Sequence, residues 1–214
     1  MNKKIFGCFI FLIIVIIDDV KGHGMVMDPV NRASRWKVDP TAIPDYNDME
    51  GFCGGYQFQW SPAIQGRCGL CGDRYTDALP RAHELGGTYG QGVIVKSYEK
   101  GSSISVTVRI TANHRGYFYF RICNLDHEQE SDECFERYKL STTTGSSTYT
   151  LPSTAAADYF VSLKLPTGLT CKHCVLQWTY VAGNNWGYCD DGSGRLGCGP
   201  QEHFRTCSDI QITE

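Results

Sequence analysis

The chain has 214 residues and a formal net charge of −3. That length supports one sizeable core, and the acidic balance argues against a nucleic-acid partner. The longest apolar run, residues 5–17, is too short to span a bilayer, and the C-terminal end has no hydrophobic tail, so no membrane partner is expected.

Lys3 and Lys4 precede the apolar run, and Val20 and Gly22 put small residues at positions −3 and −1 of a cleavage point. This is the layout of a secretory signal peptide over residues 1–22. It predicts a secreted, extracellular protein whose single mature domain, residues 23–214, begins at His23. Cleavage removes Lys3, Lys4, Lys21, Asp18 and Asp19, leaving 17 basic against 21 acidic residues. From His23 to about Gly92, Gly, Pro and Asp are frequent and periodicity is weak. That stretch is read as long loops with short helical turns, one of them a short helix over 77–85. Ile104, Val106, Val108 and Ile110 alternate with Ser105, Thr107 and Arg109, the pattern of a half-buried strand. A second strand over 117–122 puts Phe118, Phe120 and Ile122 on one face. Residues 126–137 are acidic and read as a loop, and 141–157 as a loop at a sheet edge. Alternation resumes at Tyr159, Val161, Leu163 and Leu165 and again over 175–181. Residues 183–187 and 190–194 are turns, and 204–212 form a closing strand. Several strands, glycine-rich turns and no long helix point to an all-β sandwich.

Cys8 would leave with the signal peptide. Ten cysteines remain: Cys53, Cys68, Cys71, Cys123, Cys134, Cys171, Cys174, Cys189, Cys198 and Cys207. An even number in a secreted chain predicts five disulfides. Their connectivity is open, with Cys123–Cys134 the simplest local pair. The two Cys-x-x-Cys pairs, Cys68/Cys71 and Cys171/Cys174, could instead suggest zinc or redox chemistry, but an oxidising compartment favours structural bridges. No Asn-x-Ser/Thr sequon occurs.

A histidine with a free α-amine offers two nitrogens, the amine and ring Nδ1, that can close on one metal. His114 is the best candidate for a third nitrogen. A tetragonal nitrogen set suits Cu(II), although 91 residues of separation also allow a frayed terminus and an ordinary strand-end histidine. Phe204, at the start of the last strand, could face such a metal, where a phenyl ring blocks a ligand position without coordinating. It could equally be a core aromatic. Gln177 alternates with Trp178 and is a candidate to reach the site. Glu202 could support the site or be exposed, and His203 is read as exposed. His83, His127 and His173 lie in polar loops and carry no assigned role. Trp36, Tyr46 and Trp186 lie in loops, either as a sugar-stacking surface or as plugs over the core.

Taken together, several motifs resemble a known family. They are His23-Gly24 with Pro29 and Arg32; Tyr46-Asn47-Asp48; Phe52-Cys53-Gly54-Gly55; Cys68-Gly69-x-Cys71-Gly72-Asp73; Thr111-Ala112-Asn113-His114; Cys174-Val175-Leu176-Gln177-Trp178-x-Tyr180; and Phe204-x-x-Cys207-x-Asp209-Ile210. The set resembles the lytic polysaccharide monooxygenases of auxiliary-activity family fifteen, across essentially the whole mature chain. The resemblance implies an immunoglobulin-like or fibronectin-like β-sandwich with long disulfide-stapled loops and short helices. It implies one copper ion held by His23 and His114 in a histidine brace. Phe204 falls at the axial aromatic position of the catalytic set and Ala112 at the position that crowds the opposite side. The implied activity is oxidative cleavage of glycosidic bonds in crystalline chitin, or cellulose, by a monomer using an external electron donor with O2 or H2O2. Two rivals remain at this point: a chitin- or cellulose-binding protein without turnover, and a copper-binding or copper-transfer protein.

Overall fold

Residues 23–214 are described by the structure, a computed structural model; the signal-peptide reading concerns residues 1–22 and lies outside them. Twelve strands run along the described chain: β1 (His23–Asp28), β2 (Lys96–Glu99), β3 (Ser103–Ala112), β4 (Tyr117–Asn124), β5 (Tyr138–Lys139), β6 (Ser141–Thr142), β7 (Tyr149–Thr150), β8 (Ala157–Lys164), β9 (Cys171–Val181), β10 (Trp186–Tyr188), β11 (Gly194–Leu196) and β12 (His203–Thr213). Two short helices, α1 (Tyr56–Gln59) and α2 (Asp132–Arg137), interrupt the loops. One sheet has the order β1-β3-β8-β6. The other has the order β2-β12-β9-β4-β5, with β7 also paired to β4, and β10 and β11 form a separate hairpin. Among the described residues no helix is long and apolar enough to cross a membrane.

The predicted alternation sets the sandwich. Val106, Val108 and Ile110 from β3 and Val161 and Leu163 from β8 meet Phe118, Phe120, Trp178, Tyr180, Phe204 and Ile210 from the facing sheet in one core. Each large apolar side chain so buried contributes roughly 1.5–3 kcal/mol. The even-numbered face of β9 therefore fixes its orientation, and its odd-numbered residues must face the other way. That outer face is not open to water. A second cluster of Cys71, Cys123, Cys134, Phe135, Val175 and Cys207 lies there under the loop layer, so β9 is buried on both sides along most of its length.

Ten cysteines form the five expected bridges: Cys53–Cys68, Cys71–Cys207, Cys123–Cys134, Cys171–Cys174 and Cys189–Cys198. The Cys123–Cys134 pair is the one expected from proximity. Cys71 and Cys207 lie close to Glu130, but their sulfurs are joined to each other and offer no thiolate to a metal.

Several local expectations are corrected. The stretch from His23 to Gly92, read as loop, opens with β1, which pairs antiparallel with β3; β2 also precedes the first strand expected from the sequence. Residues 77–85 are turns, not a helix. The Arg81–Glu84 ion pair, an i,i+3 contact that a helix would also make, here closes a turn. The 126–137 loop contains α2, capped by the Ser131 hydroxyl accepting from the Cys134 amide and anchored by buried Phe135. The edge loop at 141–157 carries two short strands, β6 and β7. Trp186 begins a strand that pairs with β11 and so is not a loop residue.

Candidate metal centre

His23 stands at the first position of β1, opposite Ala112 in the ladder with β3. A bulge separates it from Gly24, which pairs with Ile110, and the Thr111 hydroxyl donates to the His23 carbonyl at 3.3 Å. Gly24 is closely approached: a Cβ there would lie 2.5 Å from Cδ1 of Ile110, which would have to shift, and 3.2 Å from Trp178. The His23 ring is partly exposed and turns Nε2 towards Glu50, 3.9 Å away.

His114 lies two residues beyond β3, in the tight connection to β4. Asn113 ties this connection down. Its Oδ1 accepts from the Arg115 amide at 2.7 Å, and its Nδ2 donates to the Ala155 carbonyl at 2.8 Å. Gly116 completes the turn at φ +85°, where a Cβ would sit 2.0 Å from the Val181 carbonyl. The main chain of His114 is held from both sides: its N–H donates to the Tyr180 hydroxyl at 2.9 Å, and its carbonyl accepts from the Gly183 N–H at 2.9 Å. Nδ1 of the ring lies 3.0 Å from the Asn184 side-chain amide. Burial, and after it the proximity of His23, holds the His114 pKa below its ordinary value. The two histidines therefore sit at one end of the sandwich within electrostatic reach of each other, and burial favours the uncharged form of the His114 ring.

Phe204 opens the inner face of β12, fully buried and stacked on Tyr180 with centroids 5.5 Å apart. Since the Tyr180 hydroxyl holds the His114 amide, Phe204 lies one ring behind the histidine. Gln177 is corrected. It sits on the outer face of β9, where Nε2 donates to the Leu70 carbonyl at 2.7 Å and Oε1 accepts from Arg121 at 3.0 Å, so it supports the loop layer and not the histidine end. His203 is not exposed either. Its Nδ1 meets Gln59 at 3.0 Å, its ring meets the edge of Trp60, and burial, followed by Arg205, pushes its pKa down to about 4. Glu202 is buried.

The surface aromatics divide into two groups. Trp36 is half-buried and meets Tyr46 edge-on at 5.5 Å; Tyr46 is 79% exposed. Their loop runs on to Glu50, the neighbour of His23. Trp186 is 58% and Tyr188 70% exposed on β10, just after Asn184, the neighbour of His114. Glu50 and Asn184 carry no local sequence signal. Asn184 lies within a Gly-Asn-Asn stretch that reads only as a turn, and neither contact is legible without the fold.

Two histidines given no role turn out to be half-buried against carboxylates. His173 Nε2 lies 2.8 Å from Asp209, which also takes Arg32. His83 Nδ1 lies 2.8 Å from Asp73 and Nε2 2.9 Å from Asp45. Burial alone would lower the His83 pKa, but hydrogen bonds to Asp45 and Asp73, with their charges, raise it to about 9. A raised folded pKa contributes stability that is complete below the unfolded value near 6.5 and is lost as pH rises through about 9. The wild-type thermal midpoint should therefore fall more between pH 6.5 and 9 than that of His83→Gln. Parallel midpoints for the two proteins would rule out a charged His83.

The β-sandwich thus brings the strand-initial, half-buried His23 and the buried His114 within electrostatic reach of each other at one end. The family model described as lytic polysaccharide mono-oxygenase, cellulose-degrading, matches residues 23–210, and the chain belongs to that family. Within it the chain is of the AA15 type. It is 43% identical to the lytic polysaccharide monooxygenase AA15 from Thermobia domestica solved in the Cu(I) state, with 89% of this chain and 98% of that chain covered and a TM-score of 0.85. A cellulose-active member, CelS2, solved in complex with copper, is 19% identical over 88% of this chain and 98% of its own, with a TM-score of 0.57, and shares the fold. No curated protein matches the chain significantly.

Proposed function

We propose that the mature protein begins at His23, is secreted as a monomer, and uses one copper ion held by His23 and His114 to cleave glycosidic bonds oxidatively in insoluble polysaccharide, chitin foremost. The observation that carries this is the complementary use of the two rings. Nε2 of His23 faces Glu50 and Nδ1 of His114 faces Asn184. The nitrogens left over are Nδ1 of His23, which can chelate together with an α-amine, and Nε2 of His114. Neutral nitrogen donors of this kind fit copper.

Copper bound there supplies one-electron transfer from an external donor and activation of O2 or H2O2. The chain's own residues do the rest. Tyr180 and Gly183 fix the His114 backbone, so the ring is aimed by the fold. Phe204 brings no hydroxyl, so it can give up no phenolic proton. Ala112, opposite His23 in the ladder, keeps that side free of a long side chain. Trp186, Tyr188 and Tyr46 present exposed rings on the two segments that touch the histidines, suited to stacking on sugar rings.

Cellulose is the second reading, favoured by the description of the matching family. Mass spectrometry of material released by protein starting at His23, loaded with copper and given a reductant, should show oxidised oligosaccharides from chitin. Oxidised products from cellulose alone would reverse the substrate order. None from either polymer would leave a binding or copper-carrying role.

A further inference from the structure

The segment between β5 and β8 has no part in the proposed copper chemistry. Ser and Thr outnumber all other residues over 141–154, Pro152 interrupts them, and no charged side chain occurs between Lys139 and Asp158. Serine- and threonine-rich sequence with proline is the composition of O-glycosylated segments. Composition alone names no acceptor, because several of these hydroxyls are already engaged. Those of Thr142 and Thr144 bond to each other at 2.8 Å, and that of Ser146 donates to the Thr148 carbonyl at 2.7 Å. The Ser153 hydroxyl meets that of Tyr159 and accepts from the Ala155 amide, both at 3.2 Å.

Four others differ. Thr143, Ser147, Thr150 and Thr154 are exposed, and among the described residues their hydroxyls take part in no hydrogen bond. We propose that these four free hydroxyls are the acceptors of O-linked sugars. The co-substrate is a nucleotide-activated sugar. The hydroxyl oxygen bonds to the anomeric carbon, and the bond from that carbon to the phosphate oxygen breaks. The nucleoside diphosphate leaves, and the hydroxyl proton passes to a base of the transferase. The inference rests on the secretion proposed above, since the chain must enter the compartment that holds such transferases.

The fold decides where these hydroxyls stand. Thr143 is tied to β8 by its N–H, which donates to the Ser162 carbonyl. Thr150 lies in the ladder of β7 with β4, opposite Tyr117. Thr154 belongs to an exposed run, residues 152–157, without regular structure until β8 begins at Ala157. Ala155, Ala156 and Ala157 follow it, so no bulky side chain adjoins it on that side. The carbonyls on either side of Thr154, of Ser153 and Ala155, both accept from Nδ2 of Asn113, at 3.3 and 2.8 Å. Asn113 adjoins His114, so a sugar on Thr154 would stand beside the histidine end. It would do so on a connection distinct from the one that leads to Trp186 and Tyr188.

The test is mass spectrometry of the full chain, residues 1–214, secreted from cultured animal cells. Its N-terminus and intact mass are read, and attached sugars are mapped by electron-transfer fragmentation. The secreted protein should carry sugar increments, none of them N-linked because the chain has no Asn-x-Ser/Thr sequon. They should map to Thr143, Ser147, Thr150 or Thr154, and a variant with Thr143→Ala, Ser147→Ala, Thr150→Ala and Thr154→Ala should lose them all. A secreted protein of bare mass, or sugars on Thr142, Thr144, Ser146 or Ser153, overturns this inference alone. Failure to be secreted overturns the functional reading and this inference with it. Sugars at the four positions on a chain that starts elsewhere than His23 overturn the copper reading and leave this inference standing. Should the fourfold variant fail to fold, the site map of the wild type decides.

Discussion

Replacing His114 by alanine should abolish copper-dependent turnover and weaken copper binding by well over ~100-fold, more than loss of a supporting partner typically costs, while the fold survives. The reason lies in how the residue is held. Its N–H is bonded to Tyr180 and its carbonyl to Gly183, contacts that any L-residue keeps. The turn that follows depends on Gly116, not on the imidazole. The ring itself takes one hydrogen bond, to Asn184, and contributes nothing to the hydrophobic core. Losing it should cost no more than the ~1 kcal/mol typical of a single substitution. Unfolding curves and calorimetric copper titrations on the same samples separate the two effects. A variant that no longer folds would make His114 a structural residue, and one that still turns over would remove it from the reaction.

That separation between backbone support and side-chain chemistry also explains which parts of the molecule the sequence makes legible. Alternation in β3, β4 and β8 is visible because one face packs on the core and the other meets water or loops. The pattern reaches the reader through burial alone. β1 hides from that logic. His23-Gly24-Met25-Val26-Met27-Asp28 shows no alternation, and it is a strand because β3 offers it an edge about 85 residues away. α2 hides for a different reason: six residues with an acidic first turn look like a solvated loop, and only the Ser131 cap, the Cys123–Cys134 bridge and the burial of Phe135 make them a helix. Gln177 misled because a polar residue alternating with Trp178 looks like the solvent face of a sheet. Here the loop layer covers that face, so the glutamine pairs inside it. The same covering layer makes His83, His173 and His203 half-buried, hydrogen-bonded residues. The proposed histidine pair and Phe204, in contrast, were legible as candidates through motif resemblance and the unusual chemistry of a terminal histidine. Their partners Glu50, Tyr180 and Asn184 were not, since each contact depends on which strands the sandwich brings together.

Extending the chain by a single residue before His23 should weaken Cu(II) binding by roughly 10²–10⁴-fold, the gain that joining two ligands in one unit typically provides. In a chain that begins at His23 the amine and ring Nδ1 belong to one residue, so the second donor would close on the ion without a further loss of freedom. A preceding residue converts that amine into an amide. An α-amine, with an ordinary pKa of about 7.7–8.0, gives up its proton near neutral pH, whereas an amide nitrogen has its lone pair delocalised into the carbonyl and is no comparable donor. The ring of His23 would then bind through one nitrogen, and nothing on its other side compensates: Glu50 faces Nε2 at 3.9 Å. The ladder to Ala112 and the Thr111 contact to the His23 carbonyl involve atoms that the extension leaves in place, so the two forms should unfold alike in the absence of metal. Calorimetric titration of the chain beginning at His23 against the chain beginning at Gly22 reads the difference directly. Equal affinities would mean that the terminal amine is not a ligand. Copper would then have to be held by imidazoles alone, and the cleavage point after Gly22 would lose its chemical meaning.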